Sequence, residues 1–430
     1  MKILHIVPGA GGEFYCENCL RDAGLVRMLI RMGHDVTLVP LYLPMFADDA
    51  NLAGKTPVFF GGINVYLQQK VPLFRHTPRW LDRWIDSPWL LRLAARQAGS
   101  TRARDLGETT LSMLRGEQGY QAKELDRLVR WLSECGPPDV VHLSNALLIG
   151  LAGRLRRELR VPILCSLQDE DKWLDAMRES EARACWTAIA ERAADVDAFV
   201  AVSRDYGDAM ARRLGVAADK FRVVYPGINP EGYRPASLTF DPPVIGFLSR
   251  LSRGQGLGEL VESFIALKRD PRFARVRLRA TGGQVGDDHR FESELRRQLL
   301  SAGVADDVEI VPVFDPASRA AFLESLSVLC VPVPGGQAFG LFVIEAMAAG
   351  VPSVEPRVGA FPELLEGGAG ILYDPSAPGA LTAALAALLA DPEKARELGR
   401  RARQGFLNRF TLERMAADMV RVYESVRGPQ

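Results

Sequence analysis

Gln337 and Glu345 stand on either side of Phe339, Gly340 and Leu341, and together these residues have the means to hold a phosphorylated, hydroxyl-bearing ligand. They lie in the stretch 331–363, which reads VPVPGGQAFGLFVIEAMAAGVPSVEPRVGAFPE. An apolar strand there runs into the Gly-rich turn 335–340, and a helix begins near Leu341 and ends at Gly350. Glycines let backbone approach a ligand closely. A helix start offers N–H groups without intrahelical partners and a partial positive charge, which suits phosphate. A carboxylate about one turn further on, Glu345, accepts hydrogen bonds from hydroxyls such as those of a ribose, and Gln337 brings one acceptor and two donors. An ordinary strand–turn–helix unit explains the glycines but not an acid on so apolar a helix. A second group lies upstream in Ser249-Arg250-Leu251-Ser252-Arg253-Gly254-Gln255-Gly256. Arg250 ends a strand, and its guanidinium suits a diphosphate and the charge on a leaving group; the plain alternative is a surface ion pair. Gln255 donates a hydrogen bond but supplies no charge, and Arg253 is the nearest cation to stand in for one.

These residues need a frame that repeats. Apolar runs at 3–7, 36–41, 140–143, 163–167, 198–202 and 222–224 alternate with helical stretches, the first near 19–32 and closed by Gly33. The alternation restarts at 244–248, followed by a helix over 257–268 and strands at 276–280, 308–311 and 328–333. Strand–helix alternation predicts α/β units with parallel sheets covered on both faces. A Pro-rich stretch from Tyr225 to Pro243 divides the two halves. The expected organisation is therefore an N-terminal domain over 1–225, with an insertion at 43–120, a C-terminal domain over 243–410, and a last helix within 411–430 that returns to the first domain.

The motifs resemble those of the GT-B glycosyltransferases, in the large retaining group that includes sucrose synthases and lipid mannosyltransferases. That group carries Glu, seven residues, Glu, then Ala-Met-Ala-x-Gly-x-Pro. Glu345 followed by Ala346-Met347-Ala348-Ala349-Gly350-Val351-Pro352 matches in register. The group's Gly-Arg-Leu-x-x-x-Lys-Gly appears as 249–256 with Arg250 kept. Two charged positions depart: Gln337 stands for the first Glu and Gln255 for the Lys. The resemblance runs over nearly the whole chain and is most specific in its C-terminal half. It implies two doubly wound Rossmann-like domains with an intervening cleft. It also implies transfer of a sugar from a nucleotide diphosphate to an acceptor that the sequence does not name, with retention, without metal and without a cofactor beyond the donor. In that frame Arg250 and Gln337 act at the reacting centre. Gln255, Phe339, Gly340, Leu341 and Glu345 hold the donor, and Val313 and Phe314 hold its base or pack as plain core. The alternative is a GT-B paralogue that lost catalysis with those two charges and serves in binding or scaffolding.

In the first half, Gly9-Ala10-Gly11-Gly12 follows the first strand, and its position in a doubly wound half puts Gly11 and Gly12 near donor or acceptor. His142 ends a strand, with a cleft-facing catalytic histidine and a satisfied core histidine as rival readings. Asp169, Glu170 and Asp171 read first as a helix start with acids in its opening turn, and second as an acceptor base. Cys16 and Cys19 read first as packing residues, then as a redox pair, and last as metal ligands, because no second Cys or His pair accompanies them. The segment 79–96 carries Trp80, Trp84 and Trp89 among arginines. Packing within the domain or a homodimer contact ranks above peripheral membrane contact there, since Asp82, Asp86 and Pro88 interrupt a basic helical face.

Composition sets the outer bounds. A chain of 430 residues implies at least two cores. Lys+Arg and Asp+Glu both number 53, so no global field favours nucleic acid or anionic lipid. No run is long enough to span a bilayer. The N-terminus reads as a strand and not a signal peptide, and six scattered cysteines point to a reducing cytosol.

Overall fold

The long apolar runs at 3–7, 140–143 and 163–167 are fully or almost fully buried, as strands covered on both faces must be. The computed structural model describes residues 1–9, 16–42, 59–60, 69, 103–284, 288–311 and 315–428. Cys16, Glu17 and Tyr225–Arg414 form one compact unit, and the remaining described residues form the other.

The first unit contains β1 (Lys2–Val7), α1 (Glu17–Arg31, from Asn18 on), β2 (Asp35–Pro40), α2 (Ala103–Leu114), α3 (Ala122–Glu134), β3 (Val140–Leu143) and α4 (Ala152–Leu159). It continues through β4 (Ile163–Leu167), α5 (Glu170–Asp175), α6 (Glu179–Arg192), β5 (Ala198–Ala201), α7 (Arg204–Leu214) and β6 (Phe221–Val223). Its six strands are parallel, in the order β2-β1-β3-β4-β5-β6. Local signals set the helix ends. Ser203 caps α7 by accepting from the Tyr206 N–H at 3.1 Å, and Gly215 closes it with φ of 62°.

The second unit contains β7 (Val244–Leu248), α8 (Leu257–Lys268), β8 (Arg277–Thr281), α9 (Asp288–Ser301), β9 (Val308–Ile310), α10 (Pro316–Glu324), β10 (Val328–Leu329) and α11 (Leu341–Ala348). Then come β11 (Ser353–Pro356), α12 (Phe361–Leu364), β12 (Gly370–Tyr373), α13 (Ala380–Leu389) and α14 (Pro392–Arg409). Its six strands are again parallel, in the order β12-β11-β10-β7-β8-β9. Helix α15 (Leu412–Arg427) ends the chain, and its residues from Met415 on belong to the first unit. There Arg427 pairs with Asp139 at 2.9 Å.

The expected doubly wound architecture is present twice, and most predicted strands recur within a residue or two. Strands β11 and β12 have no counterpart among the runs at 244–333. Ser, Glu and Pro in one and Gly in the other mask the apolar pattern. Strand β10 is shorter than the run Val328–Val333, because Pro332 and Pro334 carry no N–H for a ladder. Of the insertion at 43–120, Phe59 and Phe60 are buried and α2 is helical. The rest of the predicted hairpin near 58–66, and the Trp-bearing segment 79–96, lie outside the described residues.

Each sheet reverses its strand order once, between β1 and β3 in the first unit and between β7 and β10 in the second. Loops leaving the C-terminal ends of such strands diverge and leave a crevice for ligands. In the second unit those loops are 249–256 and 332–340, and Gly256 lets them touch. It has φ of 81°, and a Cβ there would lie 2.1 Å from the Pro332 carbonyl oxygen. Gly256→Ala is therefore expected to destabilise the second unit by about 1–3 kcal/mol, the range of enforced backbone strain. Chemical denaturation checks this, and an unchanged midpoint would contradict the close approach.

Candidate functional site

The second unit gathers its loops at the switch point by backbone contacts. The Ser249 N–H donates to Thr281 O at 3.1 Å and the Leu251 N–H to Gly283 O at 3.0 Å, fixing the loop after β7 to the loop after β8. The Ala360 N–H donates to Gln337 O at 3.0 Å, fixing the Gly-rich turn to the turn after β11. Gly340 closes the turn with φ of 90° as the N-cap of α11, and a Cβ there would meet the Phe361 ring at 3.1 Å. This conformation presents the first N–H of α11.

That N–H is already engaged by an anion. Leu341 N donates to Glu17 Oε2 at 2.6 Å, and Gln337 Nε2 donates to Glu17 Oε1 at 3.1 Å. A carboxylate thus rests on the positive end of a helix, where one negative charge gains about 0.3–2 kcal/mol. The arrangement accounts for Gln337 in place of an acid, since a carboxylate at 337 would face Glu17 with like charge. Gln337 is 7% exposed, and its Oε1 is buried without a hydrogen-bond partner among the described residues.

Every residue of α11 is buried, Glu345 included at 1% exposure. Its Oε1 accepts from Arg319 Nε at 3.0 Å and from the Tyr233 hydroxyl at 2.5 Å. A buried carboxylate requires such partners, because desolvation costs several kcal/mol per ion. Phe339 is wholly buried, so its ring is not open to a ligand.

Arg250 lies 3.4 Å from Asp288 Oδ2 through Nε and is about two-fifths exposed. Gln255 accepts from Ser249 Oγ at 3.2 Å. Arg253 pairs with Glu294 at 2.8 Å and stacks over Phe291, so it does not supply the charge missing at position 255. Val313, Phe314, Gly11 and Gly12 lie outside the described residues. Glu355, on β11, was not singled out in the sequence. It is wholly buried and, among the described residues, accepts only from the Val331 N–H at 3.3 Å, and burial pushes its carboxyl well above the usual range.

In the first unit, His142 is fully buried. Its Nδ1 lies 3.1 Å from His5 Nδ1 and 2.8 Å from the Tyr423 hydroxyl, and its Nε2 lies 2.8 Å from Ser166 Oγ. This is the satisfied core histidine; the expected catalytic placement is corrected, because strands β1 and β3 pair His5 with His142 inside the sheet. Arg21 and Asp22 of α1 cover the pair, 3.0 Å apart. Burial, and then the Arg21 charge, lower the His5 pKa to about 3. Glu170 is likewise structural. It accepts from the N–H groups of Ala146 at 2.8 Å and Gln168 at 2.7 Å and from the Tyr206 hydroxyl at 2.9 Å, and burial raises its pKa to about 7. Asp169 holds a left-handed backbone at the start of α5, and Asp171 Oδ1 lies 2.9 Å from the same Tyr206 hydroxyl. Cys16 and Cys19 are half-buried. Among the described residues no three His, Cys, Asp or Glu side chains converge as metal ligands, and no helix is long and apolar enough to cross a membrane.

Two doubly wound parallel sheets, the second with a Gly-capped helix at its switch point, are the two Rossmann-like domains of the GT-B fold. Residues 242–391 match the family described as glycosyl transferases group 1, and residues 23–231 match glycosyltransferase family 4. A D-inositol 3-phosphate glycosyltransferase of Segniliparus rotundus is 30% identical over 54% of this chain and 53% of its own, so the chain spans about half the length of such curated relatives. Among solved structures, sucrose-phosphate synthase from Thermosynechococcus elongatus superposes with a TM-score of 0.73 at 19% identity, covering 99% of both chains. Anabaena HepE, solved in complex with UDP-glucose, gives 0.68 at 18% identity over 99% of this chain and 100% of that one. The chain is thus similar to the group 1 glycosyltransferases over its second half and to glycosyltransferase family 4 over much of its first.

Of the site, sequence reasoning missed Glu17, Arg319 and Tyr233. An acid in the first turn of α1 was the only local signal for Glu17; Arg319 and Tyr233 reach Glu345 from elements remote in sequence.

His5 carries a pH dependence. Its folded pKa lies below the unfolded value, so between pH 6.5 and about 3 the unfolded chain binds the extra proton and stability falls as pH falls. From pH 7 to pH 5 the loss from His5 is about 2 kcal/mol. Asp22 and Glu170, both raised, act in the opposite sense. The difference between wild type and His5→Asn in urea denaturation isolates the histidine. It is expected to shrink by about that amount at pH 5, and a pH-independent difference would contradict the buried neutral ring.

Proposed function

We propose that this chain transfers a glycosyl group from a nucleoside-diphosphate sugar to an acceptor hydroxyl, with retention and without a metal ion. The observation that carries the reading is the Leu341 N–H, presented by Gly340 at the switch point of a doubly wound sheet and bonded to a carboxylate at 2.6 Å. A position that holds a carboxylate by charge and hydrogen bond suits the donor's phosphate on the same terms.

In this reading the bond from the anomeric carbon to the β-phosphate oxygen breaks, and its electron pair leaves with the phosphate. The start of α11 and Arg250 meet that charge. The acceptor oxygen forms the new bond to the anomeric carbon, and its hydroxyl proton passes to the departing phosphate oxygen. Gln337 and Gln255 line the donor side as neutral hydrogen-bonding groups. Glu345 is assigned to the ribose hydroxyls, which requires it to loosen its bond from Tyr233. The relatives' name puts D-inositol 3-phosphate first in a screen of acceptors.

Leu341→Pro tests the carrying observation. Proline is tolerated at the first position of a helix and removes only the N–H there, apart from apolar volume. The affinity for whichever of UDP, GDP or ADP the wild type binds is expected to fall by about 10- to 100-fold, the worth of a hydrogen bond to a charged group. Calorimetry on variant protein with native circular dichroism checks it, and an unchanged affinity would contradict the site.

A second reading, a paralogue impaired in catalysis that binds or scaffolds, is favoured by one observation: Gln255 is neutral and Arg253 is turned to Glu294. Gln255→Lys with Gln337→Glu separates the two. If the wild-type site works as built, the pair of changes lowers donor turnover, because the carboxylate introduced at position 337 would repel Glu17. A wild type that releases no nucleoside diphosphate from any donor, beside a variant that does, would establish the second reading.

A further inference from the structure

We infer that Glu17 is a built-in competitor for the donor's phosphate, and so sets the affinity of the donor site; this rests on the donor reading above. Three observations meet at one point. The carboxylate of Glu17 accepts from the first N–H of α11 at 2.6 Å, the group best placed to meet a phosphate oxygen. Its other oxygen accepts from Gln337 Nε2 at 3.1 Å, so both oxygens are held by the Gly-rich turn. The remaining polar atom of Gln337, Oε1, is buried and has no partner among the described residues. A side chain that is 93% buried, as the 7% exposure of Gln337 gives by subtraction from 100%, loses free energy when such an atom goes unpaired. A bound ligand that offers a hydroxyl there would satisfy it.

One N–H cannot serve two anions at full strength. A phosphate carries more charge than a carboxylate and forms stronger charge-assisted bonds, so it displaces Glu17 from Leu341 at the cost of the bond Glu17 gives up. The two negative groups also repel across a few ångströms while both remain near. Glu17 thereby weakens binding of the terminal phosphate and leaves recognition of the nucleoside untouched. It touches no reacting atom; it acts through Leu341 and Gln337. The same exchange rationalises the departure at 337. The family's acid there would face Glu17, and an amide that donates to Glu17 replaces repulsion with a hydrogen bond.

The test is Glu17→Gln, which keeps an acceptor for the Leu341 N–H but removes the charge, with Glu17→Ala as a second variant. Full-length wild type and both variants are titrated by calorimetry with UDP, GDP and ADP and, as controls, with uridine, guanosine and adenosine. For the diphosphate that the wild type binds, both variants are expected to bind about tenfold more tightly or better, and the matching nucleoside is expected to bind equally to all three proteins. Tenfold corresponds to about 1.4 kcal/mol. Unchanged or weaker diphosphate binding in the variants overturns the inference and leaves the donor site standing. Equal tightening of diphosphate and nucleoside also overturns it, because Glu17 would then act on the whole site and not on the phosphate. If no protein binds any of the three diphosphates, both this inference and the donor reading fall.

Discussion

The start of α11 is the constraint on which the second unit is organised. A helix wholly buried along its length must place its unpaired N–H groups somewhere. Here Gly340, in a left-handed conformation that L side chains rarely adopt, turns the chain so that the first of them points at an acceptor. Much of what surrounds it follows. The two proline residues shorten β10 and release the turn. Gly256 admits Pro332, and the turn after β11 is tied to Gln337. These contacts lie at the point where the sheet reverses its strand order, which is where a doubly wound sheet leaves room for a ligand.

Buried charge in both units is handled by pairing or by neutralisation. Glu345 keeps its place in an apolar helix because Arg319 and Tyr233 accompany it. Among the described residues Glu355 has one backbone donor, and burial pushes its carboxyl well above the usual range. In the first unit His5 and His142 stay neutral beneath Arg21 and Asp22. These groups hold strands and helices to one another. This is why His142, a plausible catalytic residue by sequence position, is a structural one.

The fold was largely legible in the sequence. Alternating apolar runs and the Gly and Pro punctuation located ten of the twelve described strands, and the Ala-Met-Ala-x-Gly-x-Pro register located α11. The two missed strands, β11 and β12, carry Ser, Glu, Pro and Gly where apolar residues would have marked them. The site was legible only in part. Arg250, Gln255, Gln337, Gly340 and Leu341 sit on local motifs, and the fold brings their loops together. Glu17, Arg319 and Tyr233 act across long sequence separations, and no local spacing announces them. The departure at Gln337 looked like a lost charge in the sequence. Its contact with Glu17 makes it one half of a hydrogen-bonded pair.

The central claim is that the Leu341 N–H is the anion-binding group of the donor site. The most direct measurement is the backbone amide resonance of Leu341 in ¹⁵N-labelled protein during titration with UDP, GDP and ADP. The account predicts that the Leu341 amide shifts and saturates with at least one of them, together with Gln337. A diphosphate that binds and perturbs other amides while Leu341 and Gln337 stay silent would contradict it.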